Sequence, residues 1–198
     1  MQEAFAKSNE RAWFAPASAC PPLFGKLPTA SPGCMRSNTA VQEFLIAHPH
    51  VRKVVLSAWW MGHFSDDRPG HEVVSNQKAL VETVRWLRAR GVDVVVIGQP
   101  PSYRQSVPAT LALEAALGKS LLHSSAPEQT AAQELFRTAV NAASLVGKVS
   151  FLDPVLWLCD DKLCRVAQEG IPLYRDAHHL SVEGAMVLEP QLAAGLRL

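Results

Sequence analysis

The stretch VDVVVIGQPP, residues 92–101, decides the fold of this chain. Its apolar part, residues 92–98, is rich in β-branched side chains and is continuous rather than alternating, which is typical of a parallel strand covered on both faces. Two further runs of this kind lie at residues 51–57 and 148–152, and a weaker fourth lies at residues 12–15. We expect these runs to form strands of one parallel sheet.

Helical periodicity fills the spaces between the predicted strands. Apolar residues recur every three or four positions in residues 76–90 and 128–146, which predicts two amphipathic helices. Residues 182–196 form the closing helical segment, with Ser181 as its N-cap and with Pro190 expected to kink or split it. Strands that alternate with helices predict a doubly wound α/β fold with a parallel sheet.

Length and charge narrow the class of protein. The 198 residues fit one α/β domain better than two, against a prior of about 150 residues per domain. The formal net charge is +1 without a block of like charge, so the sequence lacks the cationic surface that nucleic acid requires. No apolar run approaches the roughly 20 residues of a membrane-spanning helix, and the first residues lack the pattern of a secretory signal.

Four cysteines form two pairs of near neighbours. Cys20 and Cys34 lie in one loop rich in Pro and Gly, and Cys159 and Cys164 close the short segment CDDKLC. Three connectivities are possible, and we predict pairing of near neighbours because it closes the shortest loops. The alternatives are a structural zinc, which the long spacing of the first pair disfavours, and four reduced thiols. Two disulfides indicate an oxidising compartment, so we expect export to be directed by sequence outside this chain.

Two loops follow the carboxyl ends of predicted strands. They are AWWMGHF at residues 58–64 and QPPSY at residues 99–103. Open α/β sheets bind their ligands at this end of the strands, so we expect both loops to line a cleft.

The sharpest chemical signal is YRDAHHLSVEGA, residues 174–185, ahead of the last predicted helix. Asp176 stands three residues before His179, so its carboxylate can reach one ring nitrogen within a single turn and leave the other nitrogen as a base. His178 is the competing base, but two residues after the Asp in a turn it should point away. The alternative is that Asp176 and His179 are only a local cap and surface pair.

The order of these motifs resembles the SGNH hydrolase superfamily. The resemblance is carried by CPP at residues 20–22, VVLSAWW at 54–60, VVIGQPP at 95–101, the cysteine pair at 159–164, and PLYRDAHHLS at 172–181 with Gly184 and Ala185. More narrowly, the chain resembles the periplasmic SGNH domain fused behind the membrane acyltransferase-3 domain of bacterial O-acyltransferases. The resemblance implies a flavodoxin-like, three-layer α/β/α fold with a parallel sheet, and it makes residues 1–198 a single SGNH-type domain.

The resemblance also implies roles for individual residues. Asp176 is the orienting acid and His179 the general base of a Ser-His-Asp triad. The family's nucleophile is a Ser in a Gly-Asp-Ser motif at the end of the first, central strand, and this sequence has no such motif. Residues 1–9 resemble the helix after that motif, so we expect the chain to lack the first strand and the strand at residues 51–57 to face the gap. Ser57 is the best substitute nucleophile on position alone, although the family uses that position to line the site.

The superfamily's oxyanion hole combines the nucleophile's backbone N–H, a Gly N–H and an Asn side chain. The Asn-bearing block falls at residues 57–60, where no Asn occurs, and an aromatic residue there, as in fused relatives, fits Trp60. Trp59 stands where an Arg is expected. Indole N–H groups can donate and Trp faces suit sugar rings, whereas core packing accounts for at least one of two adjacent Trp residues at a strand end. Gly25 and Gly33 are both candidate Gly donors.

The implied function is O-acyl transfer, in particular acetyl transfer, to surface polysaccharide, or hydrolysis of its esters. No metal and no organic cofactor are needed. The implied partners are an acylated carbohydrate or acyl donor and a membrane acyltransferase-3 domain in the full-length protein, on the periplasmic side of the bacterial inner membrane. The alternative is a catalytically inactive SGNH-like domain that binds glycan through Trp59 and Trp60.

Overall fold

The computed structural model describes residues 11–25, 27–28 and 30–197. These residues form two compact units, one made of Trp13–Gly98 and Gln133–Leu152 and the other of Gln99–Ala132 with residues 153–197. In chain order the elements are α1 (Pro32–Ala47), β1 (Lys53–Ser57), α2 (Met61–Phe64), α3 (Gly70–Arg88), β2 (Asp93–Ile97), α4 (Val107–Leu117), α5 (Ala126–Ala132), α6 (Glu134–Val146), β3 (Val149–Leu152), α7 (Pro154–Leu158), β4 (Ala167–Gln168), β5 (Ile171–Pro172) and α8 (Val182–Leu196). Within the described ranges, no helix combines the length and apolar composition that crossing a membrane demands.

The first unit contains the predicted parallel sheet. Its strands lie in the order β1-β2-β3, and both pairs are parallel, with Val55 opposite Val95 and Val95 opposite Ser150. The three strong strand predictions and the α/β fold class are therefore confirmed. β1 pairs directly with β2 over its full length, so no gap separates these two strands. The weaker strand predicted at residues 12–15 is wrong, because that segment is exposed and makes no ladder.

The core of this unit lies between one face of the sheet and two helices. Val94 and Val96 of β2 are buried with Leu80 and Val84 of α3 and with Phe136 of α6. Each such side chain contributes about 1.5 to 3 kcal/mol on leaving water. A Leu or Val every three or four positions in α3 is what lets one helix face reach this core.

The expectation that the strands are covered on both faces holds for β2 and fails for β1. Val94, Val95 and Val96 are all buried, whereas Val55 of β1 is 40% exposed and Lys53 and Ser57 are exposed as well. β1 therefore buries only its even-numbered face, although its sequence is continuously apolar.

Two of the three predicted helices differ in extent from the structure. The helix predicted at residues 76–90 begins earlier, at Gly70. The helix predicted at 128–146 is two helices, α5 and α6, which are separated at Gln133. Ser181 caps α8 as predicted, since its Oγ accepts a hydrogen bond from the Gly184 N–H at 3.0 Å. Pro190 lies inside α8 and does not split it.

Both predicted disulfides are present. Cys20 is bonded to Cys34 in the first unit, and Cys159 is bonded to Cys164 in the second. The Cys159–Cys164 loop is anchored to its own unit, because the Cys164 backbone N–H donates to the carbonyl of Ser124 at 2.6 Å.

Gly184 allows α8 to lie directly against the backbone that leads away from β5. A Cβ at this position would stand 2.0 Å from the carbonyl oxygen of Leu173, a distance at which something must shift. Gly70 starts α3 and has open space around its Cα. The two glycines therefore make a matched pair for substitution.

We predict that Gly184→Ala destabilises the protein by at least about 1 to 3 kcal/mol, as overpacking does, because a backbone carbonyl cannot rotate away as a side chain can. Gly70→Ala should change the free energy of unfolding by no more than about 0.5 kcal/mol. Urea denaturation of both variants measures the difference. Equal effects of the two substitutions would show that α8 does not pack as described.

Candidate active site

The segment between β5 and α8 folds into a closed turn. Tyr174 and Leu180 form an antiparallel bridge across its base. The Arg175 N–H donates to the carbonyl of His179 at 3.0 Å, and the Ser181 N–H donates to that of Leu173 at 2.9 Å. Both ends of the turn are thus fixed by backbone hydrogen bonds.

The carboxylate of Asp176 occupies the centre of this turn. Its Oδ1 accepts hydrogen bonds from the backbone N–H groups of His178, at 2.9 Å, and His179, at 2.7 Å. Its Oδ2 lies 2.7 Å from Nδ1 of the His179 ring. The two backbone donors and then the ring donor hold the pKa of Asp176 well below its usual range. The group is therefore an ionised acceptor at neutral pH.

The hydrogen bond from His179 to Asp176 fixes the tautomer of the ring. An ionised carboxylate can only accept, so Nδ1 carries the proton and donates it, and in the neutral ring Nε2 is left as an acceptor. The side chain of His179 is 56% exposed. His178 Nδ1 lies 3.9 Å from Asp176 Oδ1, too far for a hydrogen bond. The pairing of Asp176 with His179 rather than with His178 is the geometry that the sequence predicts.

A second segment of the same unit supports the turn. The Tyr103 N–H donates to the carbonyl of Ala177 at 2.9 Å, and the Val107 N–H donates to that of Asp176 at 3.1 Å. The rings of Tyr103 and Tyr174 meet edge to face with their centroids 5.4 Å apart. Burial raises the pKa of Tyr103 to about 12 and raises that of Tyr174 as well, so both phenols stay protonated. Tyr103, the last residue of the loop at residues 99–103 that we expected to line a cleft, thus supports the turn that carries the Asp176–His179 pair (the dyad).

Gln129 is a supporting residue that the sequence analysis missed. Its Oε1 accepts from the Ser102 N–H at 3.0 Å, and its Nε2 donates to the Ser102 carbonyl at 3.0 Å and to Ser124 Oγ at 2.7 Å. The side chain is buried. A single Gln in a helical pattern carries no local signal for this role, because Ser102 lies 27 residues away in the sequence.

The three candidate residues Ser57, Trp59 and Trp60 lie in the other unit. Ser57 is exposed at the carboxyl end of β1. Trp60 is fully buried, its indole N–H donates to the carbonyl of Ile97 at 2.8 Å, and its ring stacks on Phe136. Its N–H is thus already used in the core and its face is closed to a sugar, so core packing accounts for this Trp.

Of the two adjacent indoles, Trp59 is the one that faces solvent. It is 53% exposed. Its ring lies over Gly62, where a Cβ would come within 2.8 Å of ring atom Cε3. Of the candidate Gly donors, Gly33 lies in the first turn of α1, and Gly25 has a φ of +100° beside the Glu82 carboxylate. Residues 1–9, which resemble the helix after the nucleophile motif, lie outside the described residues.

A parallel α/β sheet together with an Asp–His pair just ahead of the last helix is the arrangement expected of SGNH-type domains. The chain matches the family model of the SGNH domain (fused to AT3 domains) over residues 1–194, and it belongs to this family. The periplasmic domain of the lipopolysaccharide acetyltransferase of Salmonella ser. Paratyphi A has a similar structure, with a TM-score of 0.72 and 13% sequence identity. That match covers 100% of this chain and 77% of the other, and at this identity it shows the fold alone. No curated protein matches the chain in sequence.

We predict that Asp176→Asn inverts the tautomer of His179. The Asn oxygen can still accept the two backbone N–H groups, but the amide then presents only donors to Nδ1, so the ring proton moves to Nε2. Imidazole ¹⁵N chemical shifts, recorded at a pH where the ring is neutral, distinguish the two forms.

Asp160→Asn is the matched control for this substitution. Asp160 Oδ1 also accepts two backbone N–H groups, from Lys162 at 2.8 Å and Leu163 at 2.7 Å, in a similar turn. Asp160→Asn should leave the His179 tautomer unchanged. A His179 ring that keeps its Nδ1 proton in Asp176→Asn would show that another group orients it.

Proposed function

We propose that this chain takes part in O-acyl transfer, in particular acetyl transfer, to surface polysaccharide or in hydrolysis of such esters. Asp176 is the orienting acid and His179 the general base. The observation that carries the proposal is the 2.7 Å contact between Asp176 Oδ2 and His179 Nδ1 on a turn whose backbone is already fixed. Membership of a family described as SGNH domains fused to AT3 domains supports acyl chemistry, and the similar Salmonella domain belongs to a lipopolysaccharide acetyltransferase.

The proton path follows from the ring's tautomer. A Ser hydroxyl attacks the ester carbonyl while Nε2 of His179 takes its proton, and the resulting imidazolium is stabilised by the carboxylate of Asp176. The imidazolium returns that proton to the departing alkoxide, which leaves an acyl-enzyme. A sugar hydroxyl or water then repeats the sequence, its proton passing through Nε2 to the Ser oxygen, and the acyl group ends on the acceptor.

Asp176 and His179 supply the acid and the base of this reaction, and the nucleophile is the third group it needs. This sequence contains no Gly-Asp-Ser tripeptide to which the nucleophile can be assigned. Ser57 remains a substitute on position, at the exposed end of β1. Within the first unit, Trp59 is a candidate glycan contact, because its ring is half exposed and flat indole faces pack well on sugar rings.

We further propose that this chain acts in the bacterial periplasm. Two disulfides fit an oxidising compartment such as the periplasm. The family description supports an AT3 domain as the partner, and we propose that this membrane domain passes on the acyl group at the periplasmic side of the inner membrane.

The test is made with the protein as its own gene encodes it. In a bacterial strain that expresses it, we predict that His179→Ala abolishes the ester-linked acetate of the surface polysaccharide, measured as acetate released by mild base. Removing the base of a triad costs several orders of magnitude in rate, on the order of 10⁴ where the orienting acid alone is altered. His71→Ala is the matched control, since His71 is exposed on α3 in the other unit.

Three outcomes separate the possibilities. Loss of acetate in His179→Ala, with normal protein level and normal acetate in His71→Ala, supports the base assignment. Loss in His178→Ala with retention in His179→Ala would transfer the role of base to His178. Full acetylation in both His178→Ala and His179→Ala would overturn the acyl-transfer proposal and leave a glycan-binding domain. Loss of glycan binding in Trp59→Ala would then test that alternative.

We also predict that the 198-residue chain alone hydrolyses an aryl acetate only weakly. A triad without its nucleophile retains only about 10³- to 10⁴-fold catalysis over water. Release of the phenol is followed by absorbance for the chain and for Ser57→Ala. Strong activity that disappears in Ser57→Ala would identify Ser57 as the nucleophile and contradict this prediction.

A further inference from the structure

Three metal-ligating side chains meet on the turn that carries the dyad. Asp176, His178 and His179 each offer one ligand atom, and all three atoms lie within 4.8 Å of one another. The acid–base chemistry uses the first and the third of these residues and has no role for the His178 ring. Two imidazoles and a carboxylate form a ligand set that Zn²⁺ uses in proteins, with a fourth position left to water.

We propose that Asp176, His178 and His179 form an inhibitory Zn²⁺ site, in which His178 supplies the third ligand. The ion would be a regulator of the dyad and not part of the reaction. Binding of the ion depends only on the geometry of the turn, whereas its inhibitory effect rests on the proposed function.

The distances are compatible with this site after small side-chain rotations. Ligand atoms about 2.0 to 2.2 Å from a tetrahedral Zn²⁺ lie roughly 3.3 to 3.5 Å apart. His179 Nδ1 lies 2.7 Å from Asp176 Oδ2 and must move away from it, while His178 Nδ1 lies 3.9 Å from the other oxygen, Oδ1, so the carboxylate and the His178 ring must turn toward a common ion. The three side chains are 37%, 31% and 56% exposed, so each is partly open to solvent.

The local charge favours a cation, with one opposing group. The carboxylate of Asp176 supplies the negative charge of the cluster, and it would attract Zn²⁺ and bind it directly. The Arg175 guanidinium opposes the ion, because its Nε lies 3.8 Å from Asp176 Oδ2. Its side chain is 71% exposed and can move into water. Arg175→Ala should therefore tighten Zn²⁺ binding.

Zn²⁺ at this position would block the base through the ring's tautomer. A metal bond to Nδ1 of neutral His179 displaces the proton of that nitrogen, and the proton then resides on Nε2. No net proton is released in this exchange. A ring with a protonated Nε2 cannot accept the proton of a hydroxyl group, so the ion switches off the base without covering it.

The test is a calorimetric titration of the metal-free chain with ZnCl₂. We expect the wild-type chain to bind one equivalent of Zn²⁺. His178→Ala and Asp176→Ala should each lower the affinity for Zn²⁺ by more than about tenfold, which is the lower limit for losing even a supporting group of a metal site. The same equivalent should persist in His71→Ala. MgCl₂ should give no such site, because Mg²⁺ prefers an all-oxygen octahedron.

Imidazole ¹⁵N spectra supply the second measurement. Zn²⁺ should move the His179 proton from Nδ1 to Nε2 in the wild-type chain. His178→Ala without zinc should keep the Nδ1 proton, which shows that the turn is still folded. An unchanged zinc equivalent in His178→Ala, or an unchanged His179 spectrum in saturating ZnCl₂, would overturn the proposal.

These readouts are independent of acyl transfer. Zinc binding with these signatures, combined with full acetylation in His179→Ala, would overturn the proposed function and leave the metal site. Loss of acetylation in His179→Ala, combined with no zinc binding by the wild-type chain, would overturn the metal site and support the proposed function.

Discussion

The carboxylate of Asp176 is the group on which the functional turn depends. It accepts two backbone N–H groups and one ring N–H, and each bond restricts a different part of the chain. The backbone bonds set the path from Asp176 to His179, and the ring bond sets the rotation and the tautomer of the imidazole. Hydrogen bonds to an ionised acceptor are roughly twice as strong as neutral ones. One charged group therefore helps to determine both the shape of the turn and the tautomer of the His179 ring.

The turn is also held by the chain segment that follows β2 in the sequence. Gln129 binds both backbone groups of Ser102, much as a neighbouring strand would, and also binds Ser124. Ser124 in turn accepts the N–H of Cys164, a member of the second disulfide. Tyr103, next to Ser102, donates to the turn itself. Hydrogen bonds joined by short covalent stretches of backbone thus link Cys164 of the disulfide to Ala177 in the turn.

Sequence predicts local features well and distant partners poorly. The spacing of Asp176 and His179 is enough to predict their contact, because three residues cannot separate far in a turn. Alternation predicts that one of two adjacent Trp residues is buried, but it does not say which one. That Trp60 is the buried one follows only from its contacts with Ile97 and Phe136, which are distant in the sequence. The break between α5 and α6 at the buried Gln133 likewise leaves no mark in the periodic pattern. Pro190 leaves α8 intact because its missing N–H would bond Met186, which is 61% exposed, so water can satisfy that carbonyl.

The placement of Asp176 and His179 in a single turn has a mechanical consequence. Where the two groups come from distant segments, each breathing motion of a domain stretches the hydrogen bond between them and varies the readiness of the base. Here Asp176 and His179 lie three residues apart on one turn, which is closed by the Tyr174–Leu180 bridge. Motion of the whole turn carries both side chains together. Such motion moves the imidazole without lengthening its hydrogen bond to Asp176.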